Sequence, residues 1–250
     1  MNGLKGKVAV CTGSGRPRGL GAAILRRLAE EGARVVVTDL GAPDKGLGGD
    51  NVGVTEDMEQ VAADLRALGA EVHVAPCDVR DEAAVKALMA STVEAFGGLD
   101  IFVNNAGVGY VMKPLDEVSY EDWKLVIDVN LSGAFLCTKY AAAEMIRAGK
   151  GGRIVNIASQ AAKSGFPHMA SYVASKHGMV GLTRSNAIEL GAHGITVNAV
   201  CPNHVTTDLG AKQNEYFSKY RGKTVEEYRE DLKGRIPLGR IGLASDTAAA

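Results

Sequence analysis

Thr12-Gly13-Ser14-Gly15-Arg16-Pro17-Arg18-Gly19-Leu20-Gly21 is the stretch that decides the fold. Before it stands Lys7 to Cys11, a short run of strand-forming residues. After it, Gly21 to Glu31 carries a helical pattern. Arg34 to Asp39 (RVVVTD) follows, a continuous apolar run of the kind found in strands covered on both faces. Strand, glycine turn, helix and strand make a βαβ unit. A glycine-rich loop alone is a weak signal, because many turns look like one. Placed between a strand and a helix, it is a dinucleotide-type fingerprint: glycine lets the backbone approach a pyrophosphate, and the helix N-terminus favours its charge.

The same alternation continues to the end of the chain. Thr55 to Leu68 has a helical pattern, with Glu56 and Asp57 at the positive end of its dipole. Glu71 to Ala75 is a predicted strand and Asp81 to Phe96 an amphipathic helix stopped by Gly97-Gly98. Ile101 to Asn104, Arg153 to Ala158 and Ile195 to Val200 are three further strands. Ser119 to Ala148 and Ser171 to Leu190 are helical segments between them. This order predicts an α/β fold: a Rossmann-type, doubly wound parallel sheet with right-handed crossovers, in one domain spanning 1–250. Two stretches break the rhythm. Leu40 to Val54 is a long glycine-rich loop, and Pro202 to Pro237 is a polar, mostly helical insertion that predicts a small substrate lobe after the sixth strand.

Composition narrows the function classes. The chain has 250 residues, 46% hydrophobic and 23% charged, with a formal net charge of −1. That is an ordinary globular balance, with no basic excess for nucleic acid. No window approaches the length of a membrane span, and Met1 to Lys7 lacks the apolar stretch of a signal peptide. The expectation is a cytoplasmic protein with a small-molecule substrate. The four cysteines are scattered and form no Cys-x-x-Cys pair, and the five histidines add no short-spaced ligand set, so no metal is expected.

Asp39 ends the second strand, 18 residues after Gly21. A carboxylate there can accept from both ribose hydroxyls of NAD and repels the 2′-phosphate of NADP. Leu40 stands where a basic partner for NADP would be, whereas Arg16 and Arg18 in the glycine turn pull the other way. The balance predicts NAD. Further on, Tyr172 and Lys176 lie four apart on a predicted helix, which puts them on one face. An ammonium beside a phenol favours the phenolate. Such a pair is also common on solvated helix faces.

Taken together, the motifs resemble the short-chain dehydrogenase/reductase family over nearly the whole chain. They are the Thr12-Gly13…Gly19-Leu20-Gly21 loop, Cys77-Asp78-Val79, Asn104-Asn105-Ala106-Gly107 and Asn130. Ser159 follows, thirteen residues before Tyr172, then Tyr172-Val173-Ala174-Ser175-Lys176 and the Pro202 loop. The resemblance implies an enzyme acting on CH–OH donors, interconverting a secondary alcohol and a ketone with NAD. It implies that Tyr172 is the general acid/base and that Ser159 hydrogen-bonds the substrate oxygen. Lys176 would bind the nicotinamide ribose and depress the tyrosine pKa, and Asn130 would hold a water in a proton relay. The implied cofactor set is Gly13, Arg18, Gly19, Leu20, Gly21, Asp39 and Leu40, with Asp78 and Val79 at the adenine. It continues with Asn105, Ala106 and Gly107, with Tyr172 and Lys176, and with Pro202, Val205 and Thr207 near the carboxamide.

Departures from the family pattern carry information of their own. Ser14 to Arg18 is two residues longer than the usual spacing, so the glycine turn must bulge. Asn203 replaces the usual glycine after Pro202. The Leu40 to Val54 loop, with its Lys45-Gly46-Leu47-Gly48 run, resembles hydroxyacyl-CoA dehydrogenases, whereas Ile236 to Arg240 resembles sugar, polyol and acetoin-type members. A polyol, sugar or hydroxyketone substrate is the favoured expectation and a 3-hydroxyacyl-CoA the alternative. Ser245 to Ala250 begins a helix where family members run on into a seventh strand, so that strand is expected beyond the residues given. A non-catalytic NAD-binding regulator and an assembly scaffold are the competing classes; four filled catalytic positions speak against the first. Small residues such as Ala141, Ala142, Ala143, Ala174 and Gly178 predict close helix packing between copies in a homotetramer.

Overall fold

The computed structural model describes residues 3–44, 52–109 and 111–250. Six parallel strands form one sheet in the order β3-β2-β1-β4-β5-β6. They are β1 Val8–Thr12, β2 Arg34–Thr38, β3 Val72–Val74, β4 Ile101–Asn104, β5 Gly152–Ile157 and β6 Ile195–Val200. The doubly wound reading holds, with each strand within a residue or two of its predicted bounds. The order reverses between β1 and β4, so the switch point lies at the carboxyl ends of these two central strands.

Both faces are covered. Helices α1 (Leu20–Glu30) and α2 (Thr55–Ala67) lie on one side, over a core of Leu25, Val35, Val37, Met58 and Leu65. Helix α3 (Glu82–Phe96) and α5 (Gly133–Ala148) cover the other, over Val10, Val36, Leu88, Phe102 and Met145. Asp81 caps α3 by accepting from the Ala83 amide, and Gly97 ends it in a left-handed conformation at φ +80°. β1 is buried at all five positions, as its unbroken apolar run requires.

The segment predicted as helical over 119–148 is helical throughout, with a change of pitch in its middle. Helix α4 (Tyr120–Ile127) opens on a capping box between Ser119 and Asp122. It then widens into a π turn over Asp128–Ser132, in which the Gly133 amide reaches back to the Asp128 carbonyl, before α5 resumes. Helix α6 (Ala170–Leu190) follows β5. The insertion after β6 forms the expected lobe of two helices, α7 (Asp208–Tyr220) and α8 (Val225–Arg235). Its return is stitched to the start of the insertion: Thr206 N donates to Gly242 O at 2.9 Å and Gly242 N to His204 O at 2.9 Å. The short helix α9 (Ala244–Ala249) is held by packing, with Ala248 against the core beside α1.

The long loop after β2 is closed at its neck. Gly41 N donates to Gly53 O and Thr55 N to Gly41 O, at 2.9 and 3.1 Å. Its Lys45-Gly46-Leu47-Gly48 run lies outside the described residues. Among the described residues, no helix is long and apolar enough to cross a membrane.

Candidate active site

The site is a continuous cleft of about 300 Å³ over the carboxyl ends of the strands. It begins at the glycine turn. Gly13 sits at φ +64°, and a Cβ there would come within 2.8 Å of Ala106 Cα. A Cβ at Gly21 would come within 2.6 Å of the Gly13 carbonyl oxygen. These two glycines therefore allow the turn and the β4 loop to touch. Thr12 Oγ1 accepts from the amides of Asn105 and Ala106, at 3.1 and 3.0 Å. Asn105 Nδ2 donates to the carbonyls of Thr12 and Gly13, at 2.8 and 3.0 Å. The Asn105 side chain thus pins the glycine turn. Helix α1 opens at Gly19 with no side-chain cap and no acidic residue in its first turn. That leaves amides and dipole for an anion. A dinucleotide pyrophosphate fits this cradle.

Asp39 follows the carboxyl end of β2 and lines the cleft. Its carboxylate accepts from the amides of Gly15 (3.1 Å), Leu40 (2.9 Å) and Gly53 (3.0 Å). Burial pushes its pKa up, while these hydrogen bonds and the nearby Arg16 charge pull it down. A carboxylate has about four acceptor positions. Three are taken by these amides, and a ribose diol would share the carboxylate with them. The bulged turn brings Gly15 N onto the carboxylate.

Other cofactor candidates sort by position. Gly13, Gly19, Leu20, Leu40, Asp78 and Val79 line the cleft; so do Asn105, Ala106 and Gly107, and Pro202, Val205 and Thr207. Asp78 is held by Arg80, whose Nη2 lies 2.6 Å from it and 2.6 Å from Asp44. Gly21 and Arg18 are not part of the wall. Gly21 packs behind the turn, and Arg18 is 84% exposed, paired with Asp208 at 3.2 Å. Arg16, which sequence reasoning did not assign to the cofactor, lines the cleft and also pairs with Asp208 at 3.2 Å.

The chemistry gathers where β5 meets α6. Tyr172 lines the cleft together with Ser159, which lies just beyond the end of β5 and whose Oγ accepts from the Ala161 amide at 3.1 Å. One turn along α6, Lys176 is buried, with Nζ 5.8 Å from the Tyr172 ring centroid. That ammonium donates to the Ile157 carbonyl at 2.8 Å. Burial pulls Lys176 from 10.5 down to about 8. Burial also holds the Tyr172 phenol above its ordinary value, against the lowering effect of Ser159. This corrects the expectation of a depressed phenol. The lysine is spent on a carbonyl, and desolvation outweighs what the hydroxyl gives back. Tyr172 therefore keeps its proton at neutral pH.

Asn130 is fully buried and does not line the cleft. Its Oδ1 accepts from Val108 N at 2.7 Å, and its Nδ2 donates to Val108 O at 2.9 Å and Ser175 Oγ at 3.1 Å. Both ends of the amide are used in bridging the β4 loop to α6. A second buried network lies behind it: Asn104 Nδ2 donates to Thr138 and Asn156, and Asn156 Nδ2 donates to Thr183. It ties β4, β5, α5 and α6 together. Gly109 was missed by sequence reasoning. A Cβ there would meet the Tyr172 ring at 2.9 Å, so its lack of a side chain sets where that ring stands. The signal was present as a glycine two residues after a motif glycine.

The short chain dehydrogenase family matches residues 7–216 of the chain. The chain belongs to that family. This short-chain dehydrogenase is 39% identical over 247 residues to a putative ketoacyl reductase of Streptomyces coelicolor, covering 97% of this chain and 87% of that one. A crystal structure of NAD+-bound xylitol dehydrogenase superposes with TM-score 0.88 at 30% identity, covering 99% of this chain and 91% of that one. The actinorhodin polyketide ketoreductase with NADPH superposes with TM-score 0.86 at 38% identity, covering 97% and 87%. The protein is a short-chain oxidoreductase acting on alcohol or ketone groups. Of these two solved structures, the xylitol dehydrogenase holds NAD+ and the ketoreductase NADPH.

Proposed function

We propose that this chain interconverts a secondary alcohol and a ketone with NAD(H), using Tyr172 as the general acid/base. The observation that carries this is that Tyr172, Ser159 and Lys176 line the same cleft as Asp39 and the glycine turn. Bound along the glycine turn, a nicotinamide dinucleotide supplies or accepts the hydride. In ketone reduction the protonated Tyr172 hydroxyl gives its proton to the substrate oxygen, and Ser159 hydrogen-bonds that oxygen as charge develops on it. Lys176 fixes the end of β5 beside Ser159 and reaches towards the ribose. Asn130, assigned to hold the water of a proton relay, has its side-chain amide engaged with Val108 and Ser175. The Asp39 carboxylate and the neighbouring Leu40 favour NAD, because a 2′-phosphate there meets negative charge, while Arg16, which also lines this end, is paired with Asp208 at 3.2 Å.

NADH oxidation, followed with a panel of ketones and repeated with NADPH, tests this reading. NADH turnover that Tyr172→Phe abolishes is the expected result. Tight NADH binding without turnover of any ketone would instead mark a non-catalytic NAD-binding regulator. The expected tetramer has a candidate surface on α5 and α6, where Phe135 and Ile188 stand 48% and 85% exposed. Light scattering that shows a monomer at micromolar concentration would remove it.

A further inference from the structure

Beyond Tyr172 the cleft changes character. Its base is the buried cluster of Met169, Phe217 and Tyr228, against which Tyr172 and Leu232 pack. Phe217 and Tyr228 stack with centroids 6.5 Å apart and planes 26° apart, and both line the cleft. The charged side chains that line the cleft are Arg16, Asp39, Asp78 and Lys176. The first three belong to the dinucleotide end, and the fourth is buried under Tyr172. Past Tyr172 the titratable groups in the wall are His204 and Tyr228. Burial pulls His204 down and pushes Tyr228 up, so both are neutral at neutral pH. The polar groups of α7 are largely committed: Gln213 Nε2 donates to the Gly109 carbonyl at 3.0 Å, and His204 shares a 2.6 Å hydrogen bond with Asn214.

We propose that the substrate is an uncharged, mostly apolar ketone or secondary alcohol of ring size, lying against the Phe217–Tyr228 face. This rests on the oxidoreductase reading above and departs from the polyol expected from sequence. A carboxylate or phosphate in this half would lose water, and the Arg221 guanidinium, 5.5 Å from the Tyr228 ring centroid, does not line the cleft to meet it. A polyol would press several hydroxyls against carbon, with few free partners. A ring buries its whole edge there, and the reacting carbonyl still meets Tyr172 and Ser159.

Two rings of nearly equal size decide the matter: 4-methylcyclohexanone and 4-oxocyclohexanecarboxylate. Each is titrated calorimetrically onto the enzyme–NADH complex and assayed for NADH oxidation, with xylulose as an open-chain comparator. The methyl ketone should lead the keto acid by about 100-fold in both Kd and kcat/KM. Leu232→Arg adds a cation to the wall and should narrow that gap about tenfold while NADH affinity holds. Comparable use of the two rings, a preference for the keto acid or xylulose, or no binding of either ring overturns the substrate class. If xylulose or the keto acid is reduced, hydride transfer still stands. Selective binding of the methyl ketone with no NADH oxidation upholds the pocket and overturns the oxidoreductase reading instead.

Discussion

Around Asp39 and the glycine turn the cleft is shaped by backbone contacts, whereas beyond Tyr172 it is shaped by packed side chains. At the first end, amides of Gly15, Leu40 and Gly53 meet one carboxylate, and two glycines let neighbouring loops touch. At the other end, Met169, Phe217, Tyr228 and Leu232 come from two separate stretches of chain and meet only because α7 and α8 fold back over α6. The backbone end tolerates almost no added atom, so its residues recur as a motif. The side-chain end is set by volume and polarity, which many residue combinations supply. Tyr172 stands at the border and belongs to both.

Removing the border group should have the largest effect. Tyr172→Phe keeps the ring against Gly109 but deletes the proton, and kcat for ketone reduction should fall about 10²–10⁴-fold. NADH affinity, read by fluorescence titration, should not change; a drop in affinity with kcat preserved would move Tyr172 to the cofactor end.

Lys176 sharpens the comparison differently, because it costs stability. Its folded pKa of about 8 lies below the unfolded 10.5, so the unfolded chain binds more protons in between. Wild-type stability therefore rises with pH from about 8 to 10.5, and the penalty is fully present below that window. At pH 7 it amounts to about 3 kcal/mol. Lys176→Met should raise stability by about 1–2 kcal/mol in urea melts at pH 7, after the loss of the hydrogen bond to Ile157. Activity should fall in the same variant. In the wild type, ketone reduction should decline as pH rises through about 8, where the ammonium is lost, and that limb should disappear in Lys176→Met.

At the backbone end, Asp39→Ala should lower the NAD-over-NADP ratio of kcat/KM by about tenfold, equivalent to about 1.4 kcal/mol. It should also lower Tm, because three amides lose their acceptor. A wild-type preference for NADP would sink the cofactor assignment. The smallest effect is expected at Asp208, which both Arg16 and Arg18 reach across the mouth of the cleft. Exposed ion pairs contribute little. Asp208→Asn should speed NADH release about two- to five-fold, and added salt should produce a similar change in the wild type.

The same division explains what could be read from the sequence. The strand–helix alternation, the glycine turn and the Ser159–Tyr172–Lys176 spacing were legible because they are local in the chain. The cost of bulging the glycine turn was legible as a length, but not as an amide aimed at Asp39. The direction of the Tyr172 shift was missed because desolvation depends on what closes over the ring, and that includes Gly109 and α7. Arg16 and Arg18 are two residues apart and chemically alike; only the path of the bulge decides which one lines the cleft. The apolar wall was hidden because Phe217, Tyr228 and Leu232 sit in a segment that reads as polar helix. Its charged residues face outward and dominate the pattern.

The five-residue turn over Asp128–Ser132 acts as a phase shifter between α4 and α5. One residue of an α-helix corresponds to about 100° of rotation. Removing one residue from this turn would let the two helices run on as one, with their hydrogen bonds intact and almost no change visible in overall shape. Yet α4 would turn by that angle relative to α5, and Asn130 would swing away from Val108 and Ser175. A single-codon deletion at this point should therefore leave a well-folded chain whose β4 loop has lost its latch. Length here is as strictly specified as residue identity is at Tyr172.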